Sequence, residues 1–269
     1  MLKIAVIGAT GRMGRAIINA MARSEDLALS GAVTMPGDPL LGADAAEQAG
    51  LDAAGVIVTD DRGDGLLNAH VAIDFTLPVA LEANLRAAVQ SGTPMVVGTT
   101  GLNPQQQTSL NSAAAQIPLV YAANMSVGMN VFMALVRRAA AALGDDYDAE
   151  IIESHHRHKV DAPSGTALAI GEMVAAGRSR RLDEVAVYAR HGQVGPRVPG
   201  TIGFSVVRGG SIVGDHQVLF ASDEEQLELV HRASDRAAFA GGALRAARWV
   251  AGRAPGSYTM ADVLGLENA

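Results

Sequence analysis

The first fourteen residues constrain the fold more than any other stretch of the chain. Leu2 to Gly8 is an apolar run of strand length, and Gly8-Ala9-Thr10-Gly11-Arg12-Met13-Gly14 follows it directly. Behind these glycines Met13, Ile17, Ala20 and Met21 return to one helical face. A buried strand that enters a glycine-rich turn and then a helix is a βα unit. The open start of such a helix offers unpaired backbone N–H groups and the positive end of its dipole, which suits a pyrophosphate. The spacing is GxxGxxG rather than GxGxxG, and an ordinary tight βα turn uses glycine in the same way. Its place at the first strand and first helix favours the nucleotide.

The alternation continues. Leu27 to Val33, Val56 to Thr59, Val71 to Phe75, Met95 to Gly98 and Ile117 to Ala122 read as further strands, with a helical face of Leu81, Leu85, Ala88 and Val89 between two of them. Strands alternating with helices predict a parallel sheet, whose ligands bind at the carboxyl tips of the strands. After about Ser126 the pattern changes. A helix rich in Met, Val, Leu and Ala runs to about Leu143. Strand-like segments then gather at Ala149 to Ser154, Val185 to His191, Thr201 to Arg208, Ser211 to Ala221 and Gln226 to Arg232. One helix, Thr166 to Val174, interrupts them, and Ala237 to Val250 is helical again. The expected fold class is α/β: a Rossmann-like dinucleotide-binding domain plus an α+β domain built on a largely antiparallel, mixed open sheet.

A chain of 269 residues has the length of two domains and needs no staples to bury a core. It has no cysteine, which excludes disulfides and thiolate metal sites and fits a reducing compartment. A formal charge of −7 argues against a nucleic-acid surface. The N-terminal run is too short for a signal-peptide core, and no apolar stretch reads as long enough to span a membrane. A cytoplasmic protein is expected.

In an acidic chain, clustered cations stand out. Glu153-Ser154-His155-His156-Arg157-His158-Lys159-Val160-Asp161-Ala162-Pro163-Ser164-Gly165-Thr166 gathers three histidines, an arginine and a lysine. Successive residues of an extended chain face opposite sides, so His155 and His156 meet different surroundings. Ser164 is the predicted N-cap of the next helix, and Gly165 and Thr166 at its start suit a carboxylate. A solvated basic loop is the bland alternative. A zinc site is a further one, disfavoured because the histidines are nearly contiguous and no acid or cysteine stands at ligand spacing. Proton transfer beside a bound anion is the preferred chemistry. Gly98-Thr99-Thr100-Gly101 and Ala122-Ala123-Asn124-Met125, at two strand tips, could face a ligand, although a plain loop is the stronger reading of either taken alone. The second strand ends in Val33-Thr34-Met35-Pro36 without the acid that usually holds an adenosine ribose. Asp38 follows, at a spacing that does not place it.

With these segments in view, the chain resembles the 4-hydroxy-tetrahydrodipicolinate reductase family over nearly its whole length. The string ESHHRHKVDAPSGTA is a near match to a long family signature. IAVIGATGRMGR, VAIDFT, VVGTTG, AANMSVG, VPGTIGFSVVRGGSIVGDHQVLF and an R-x-x-F-A-x-G-A-x-R pattern from Arg236 follow in family order. The resemblance implies a dinucleotide-binding domain over 1–126 and 236–269, and a substrate-binding and tetramerisation domain over 127–235. It implies NADH- or NADPH-dependent reduction of 4-hydroxy-tetrahydrodipicolinate to tetrahydrodipicolinate with loss of water, on the diaminopimelate route to lysine. It assigns His155 as proton donor or acceptor and Lys159 as proton donor. His156, Ser164, Gly165, Thr166 and Thr100 would bind the dicarboxylate substrate. Gly8, Ala9, Thr10, Gly11, Arg12, Met13, Thr34, Met35, Phe75, Gly98, Thr99, Thr100, Ala122, Ala123, Asn124 and Met125 would bind the cofactor. No metal and no nucleic acid is implied, and a homotetramer is. Members often carry an acid and an arginine where Thr34 and Met35 stand, which leads to an expectation of modest discrimination between the two cofactors. Two rival readings are a different Rossmann-type reductase of a small anion, such as an amino-acid dehydrogenase, and a dinucleotide sensor without catalysis. Neither has a use for the histidine–lysine string.

Overall fold

The structure, a computed structural model, describes residues 1–235 and 237–266. Arg236, where the last motif and the returning segment were expected to begin, lies outside the described residues, as do 267–269. The chain forms two compact units, one of Met1–Val127 with the C-terminal segment after 236, the other of 128–235. In chain order the first unit runs β1 (Leu2–Ile7), α1 (Arg12–Met21), β2 (Leu27–Val33), α2 (Ala45–Gln48), β3 (Val58–Thr59), α3 (Arg62–Leu66), β4 (Val71–Asp74), α4 (Pro78–Ser91), β5 (Met95–Val97), α5 (Pro104–Ala114) and β6 (Pro118–Tyr121). Then come α6 (Val127–Leu143), β7 (Asp148–His155), α7 (Gly165–Gly177), α8 (Leu182–Val185), β8 (Ala186–Val187), β9 (Ile202–Arg208), β10 (Gly214–Ala221) and β11 (Gln226–Ala233). α9 (Ala237–Val250), β12 (Gly256–Tyr258) and α10 (Met260–Leu264) close the chain.

The first sheet has the order β12-β6-β5-β4-β1-β2-β3, and every pairing in it is parallel. Alternate residues of its strands feed two cores. Ile4 and Val6 of β1 pack with Ile17, Ile18, Ala243, Ala247 and Val250 of α1 and α9, and Ala5 and Ile7 pack on the other face with Leu81, Leu85 and Leu110 of α4 and α5. Burial on both faces is why these strands read as unbroken apolar runs. α9 approaches the loop after β6 so closely that a Cβ on Gly242 would lie 1.7 Å from the Met125 carbonyl oxygen, whereas one on neighbouring Gly241 would meet nothing.

Five elements of this unit, α2, α3, α5, β12 and α10, lay beyond the sequence reading. α5 is announced by Asn103-Pro104-Gln105-Gln106, a capping box with proline in the first turn. β12 and α10 are short, and β12 pairs with β6 from a segment distant in sequence.

The second sheet has the order β11-β10-β7-β9-β8. β10 pairs antiparallel with β11 and β7, while β9 pairs parallel with β7 and β8. It is the mixed sheet expected, with two antiparallel and two parallel pairings, because the crossover through α7 and α8 returns β8 and β9 in the sense of β7. The strand expected over Val185–His191 shrinks to two residues, and the stretch beyond carries Gly192, Gly195, Pro196 and Pro199. Met129, Phe132, Val136 and Ala140 of α6 pack with Ile151 of β7 and Ile170 and Val174 of α7. The segment Val127–Asp146, contrary to expectation, has the length and mean hydropathy (1.2) of a membrane span. Arg137 and Arg138 stand exposed at its centre and its apolar row belongs to the core, as in a core helix of a globular unit.

The paired glycines of α9 give a direct test. Gly242→Ala lowers the unfolding free energy by more than about 2 kcal/mol through overpacking, and Gly241→Ala raises it by up to about 1 kcal/mol through helix propensity. Urea unfolding of the two variants reads the contrast, and equal effects would show that the α9 approach is not tight.

Candidate active site

In the first unit the strand tips surround a cleft of about 320 Å³ lined by Gly8, Thr10, Gly11, Thr34, Met35, Asp38, Arg62, Phe75, Thr76 and Asn84 among others. Gly8 has φ +83°, which favours glycine, and its N–H and that of Ala9 donate to the Val33 carbonyl. A Cβ on Gly14 would lie 2.2 Å from the Gly8 oxygen, so glycine there sets how closely α1 approaches the turn. Gly11 caps α1 without a side-chain hydrogen bond, and the first intrahelical bond is Arg15 N–H to Gly11 O. The first-turn N–H groups before it have no acceptor within the helix. Bare backbone and open donors fit a dinucleotide pyrophosphate.

The other expected cofactor residues divide. Phe75 lays its ring against Gly98, where a Cβ would come within 2.4 Å of it. Ala9 and Met125 turn into the core, leaving only backbone to a ligand. Thr99 is buried and its hydroxyl donates to Asp74 at 3.5 Å. Asn124 accepts the Ser126 N–H through Oδ1. Arg12, Thr100 and Ala123 are exposed, and Met13 is half-buried on the α1 side.

The sequence reading did not single out Asp74 and left Asp38 unplaced. Asp74 ends β4 fully buried. Its Oδ1 accepts the Thr76 N–H (2.8 Å) and hydroxyl (2.7 Å), and its Oδ2 accepts Asn84 Nδ2 (2.9 Å). Burial pushes its carboxyl up against these neutral donors. Asp38 is folded back onto the β2 tip, where Thr10 and Thr34 donate to it.

In the second unit, β7 alternates so that Ala149, Ile151, Glu153 and His155 share its buried face. The apolar row thus ends in a charged pair. His155 Nδ1 is hydrogen-bonded to Glu153 Oε2, while Glu153 Oε1 accepts the Ser164 N–H (3.0 Å) and Arg208 Nη2 (2.8 Å). Arg208 reaches this place because β9 runs parallel to β7 and pairs it with His155. Across β10, His216 stands opposite Glu153 and its ring meets that of His155 edge-on at 5.2 Å. A Cβ on Gly214 would lie 3.0 Å from His155 Nε2, so glycine leaves that nitrogen its space.

Burial pushes the Glu153 carboxyl up, but hydrogen bonds from Arg208, the Ser164 N–H and His155 outweigh it, and the net shift is downward. Burial holds His155 below its ordinary range, against the pull of Glu153 and with help from Lys159 and Arg208. His216 is pushed down to about 4, by burial first and then by His155.

Ser164 caps α7 as predicted, accepting the Ala167 N–H at 3.1 Å. Gly165 and Thr166 follow at the helix start, exposed and half-buried. Lys159 pairs with Asp161 at 2.8 Å, and that ammonium, with lesser help from the Gly165 N–H, holds the Asp161 carboxyl low. His156 is half-buried with Nδ1 unpartnered, whereas Arg157 and His158 are exposed. The structure thus gathers His155, Lys159, Ser164, Gly165 and Thr166 in one region of unit 2, whereas Thr100 belongs to unit 1.

Glu153, His155 and His216 present one ligand atom each within 4.8 Å of one another, a grouping that could hold a metal. The sequence argument that no acid stands at ligand spacing therefore fails, because i and i+2 share a strand face. Arg208 and the Ser164 N–H already occupy Glu153, which makes the cluster a closed hydrogen-bond network with its own cation. The signal for Glu153 was this two-residue spacing. His216 comes from a remote strand that nothing near the histidine string announces.

A parallel sheet in Rossmann order with a glycine-walled cleft, in a chain whose second unit carries a buried histidine–carboxylate pair, defines a dinucleotide-dependent oxidoreductase. The family model described as dihydrodipicolinate reductase, N-terminus, matches residues 2–125, and that described as dihydrodipicolinate reductase, C-terminus, matches 128–264. Proteins named 4-hydroxy-tetrahydrodipicolinate reductase from Alkalilimnicola ehrlichii and Thiobacillus denitrificans are 53% and 52% identical. They cover 98% and 99% of this chain, and each match spans 99% of the relative. A solved dipicolinate-bound dihydrodipicolinate reductase from Paenisporosarcina sp. TG-14 shares the fold (TM-score 0.76, 22% identity, 96% of this chain and 97% of that one). The chain belongs to the dihydrodipicolinate reductase family, reductases of the diaminopimelate route to lysine.

The buried histidines make stability depend on pH. His216 takes its proton near 6.5 when unfolded and near 4 when folded, so the unfolded chain binds more protons across that window. Stability falls as pH drops from about 6.5 towards 4, by on the order of 2–3 kcal/mol from this residue. His155 adds loss in the same direction. Urea unfolding across that range checks it, and His216→Gln flattens the slope. An unchanged slope would remove His216 as its source.

Proposed function

We propose that the chain catalyses NAD(P)H-dependent reduction of 4-hydroxy-tetrahydrodipicolinate to tetrahydrodipicolinate, with His155 and Lys159 handling the protons. The observation that carries this is the buried Glu153–His155 pair, ending in an open Nε2 and accompanied by Lys159 at the approach to α7. The Gly8–Met13 turn, the β2 tip, Phe75, the backbone of Gly98–Thr100 and that of Ala122–Met125 hold the dinucleotide. Bound there, the reduced nicotinamide supplies the hydride.

Loss of water needs a base for the C–H beside the hydroxyl-bearing carbon and an acid at the leaving hydroxyl. The reduction then needs a proton at the carbon beside the one that accepts hydride. His155 is the base. Its pKa lies below the ordinary range, so it is neutral at pH 7. Its Nδ1–H faces the Glu153 carboxylate, which leaves the Nε2 lone pair for the substrate. Lys159 is the acid. Glu153 touches no substrate in this scheme and positions the ring, while Arg208 keeps it ionised.

The dicarboxylate is held at the start of α7 by Ser164, Gly165 and Thr166, with His156. Asp161, already paired with Lys159 and favoured by the Gly165 N–H, shows that a carboxylate is at home there. The solved relative from Paenisporosarcina carries dipicolinate, a molecule of that charge and shape. The enzyme works in the cytoplasm as a homotetramer. Exposed Val206, Val207, Leu227 and Val230 on the second sheet support association through it.

The test supplies substrate from pyruvate and aspartate semialdehyde through a separate synthase and follows nicotinamide absorbance. Synthase-dependent oxidation is expected in the wild type. Lys159→Ala and His155→Ala each lower kcat by roughly 10²–10⁴ without loosening the dinucleotide. Turnover unchanged in Lys159→Ala would end the assignment.

A further inference from the structure

The β2 tip has Thr34 and Met35 where an acid and a cation would sort the two nicotinamide cofactors, yet a carboxylate stands in the cleft wall. We propose that Asp38 is the residue that reads the adenosine ribose, accepting hydrogen bonds from the hydroxyls of NADH and disfavouring the 2′-phosphate of NADPH. This rests on the dinucleotide reading of the first unit.

Local geometry brings Asp38 back to the tip. Met35-Pro36-Gly37-Asp38 is a reverse turn closed by the Asp38 N–H on the Met35 carbonyl at 3.2 Å, with Gly37 at φ +79° after proline. Proline followed by a positive-φ glycine is the signature of a type II turn. The turn returns Asp38 to within 2.7 Å of both Thr34 Oγ1 and Thr10 Oγ1, which are themselves 2.8 Å apart. Leu40 N–H donates to the other carboxylate oxygen at 2.9 Å. One threonine comes from the glycine turn and the other from the strand tip, so Asp38 is fastened to both walls of the cleft it lines.

The fastening leaves capacity for a ligand. A carboxylate has about four acceptor sites, and these partners fill three at most. Asp38 is half-buried, not sealed. Hydrogen bonds from Thr34, the Leu40 N–H and Thr10 hold its carboxyl low, and the nearby Arg15 adds to them, so it carries charge at neutral pH. Thr34 is buried and offers its hydroxyl to Asp38; Met35 is exposed and brings no charge. The cation that lines the cleft, Arg62, gives its Nε to Asn84 Oδ1 at 2.7 Å. A ribose diol donates to such a carboxylate, whereas a phosphate has only acceptors and like charge to present. A clear NADH preference follows, in place of the modest discrimination expected from Thr34 and Met35 alone.

The experiment titrates the full-length protein with NADH and with NADPH at one ionic strength and reads Kd from nicotinamide fluorescence, without turnover. The wild type is expected to bind NADH at least about tenfold more tightly, the scale of a hydrogen bond to a charged group. Asp38→Asn keeps shape and removes charge. It should weaken NADH by about tenfold and leave NADPH unchanged or tighter, with Asp38→Ser doing the same. Equal or tighter binding of NADPH by the wild type would overturn the assignment, as would an unchanged ratio in both variants, or a parallel loss of both nucleotides in both. Failure of the wild type to bind either nucleotide would overturn the dinucleotide reading itself, a distinct result.

Discussion

Parallel strands deliver their carboxyl ends to one edge of a sheet, and beyond that edge the ladder no longer satisfies the backbone. Both units of this chain are organised by that constraint. In the first, β1, β2, β4, β5 and β6 end beside one another. The residues just past them are Gly8, Thr34, Phe75, Gly98 and Ala122, small or turned so that backbone and short hydroxyls face outward. In the second, the parallel pair β7 and β9 brings His155 and Arg208 to one register position, and antiparallel β10 starts there with His216 opposite Glu153. The polar residues sit where the topology leaves a gap, and the apolar rows behind them hold that gap in place.

Two buried carboxylates at these ends show how environment sets their roles. Asp74 and Glu153 are 0% and 1% exposed, yet their pKa values move in opposite directions. Asp74 receives neutral donors alone, and burial wins. Glu153 receives two such donors and a guanidinium, and together they outweigh burial. Asp74 therefore serves as a structural knot that shapes Phe75 and Thr76 at the β4 tip. Glu153 stays ionised and can fix which nitrogen of His155 holds the proton. Removing Arg208 would leave a charge buried without its partner, a loss of several kcal/mol in comparable pairs.

Much of this was legible in the residues. The parallel sheet followed from strands that are apolar on both faces, the first turn from its glycines, and the α7 cap from Ser164. What stayed hidden was relation at a distance. Glu153 and His155 share a face because they are two apart on a strand, which the sequence contained, but their contact with Arg208 and His216 depends on sheet order. β8 and β9 join β7 in parallel through a crossover that composition does not specify. Asp38 lies four residues past the strand tip, and counting along an extended chain carries it away from the cleft. Pro36-Gly37 folds it back, so the signal was the turn dipeptide and not the spacing.

The negative charge of the chain, −7 in all, reaches its candidate anion-handling ends. At both candidate anion-handling ends the chain sets a carboxylate of its own among the donors. Asp161 lies on Lys159, and Asp38 between Thr10 and Thr34. These carboxylates differ in exposure and hold, and therefore in what a ligand can do to them. Asp161 is half exposed and its pair with Lys159 is screened by water, so it is worth on the order of 1 kcal/mol or less. Little is lost when that pair opens. Asp38 is fixed through both oxygens and cannot be exchanged without breaking several hydrogen bonds, so a ligand there must donate to it. One acid is lightly held and the other firmly. The difference follows from the number of donors each has already been given.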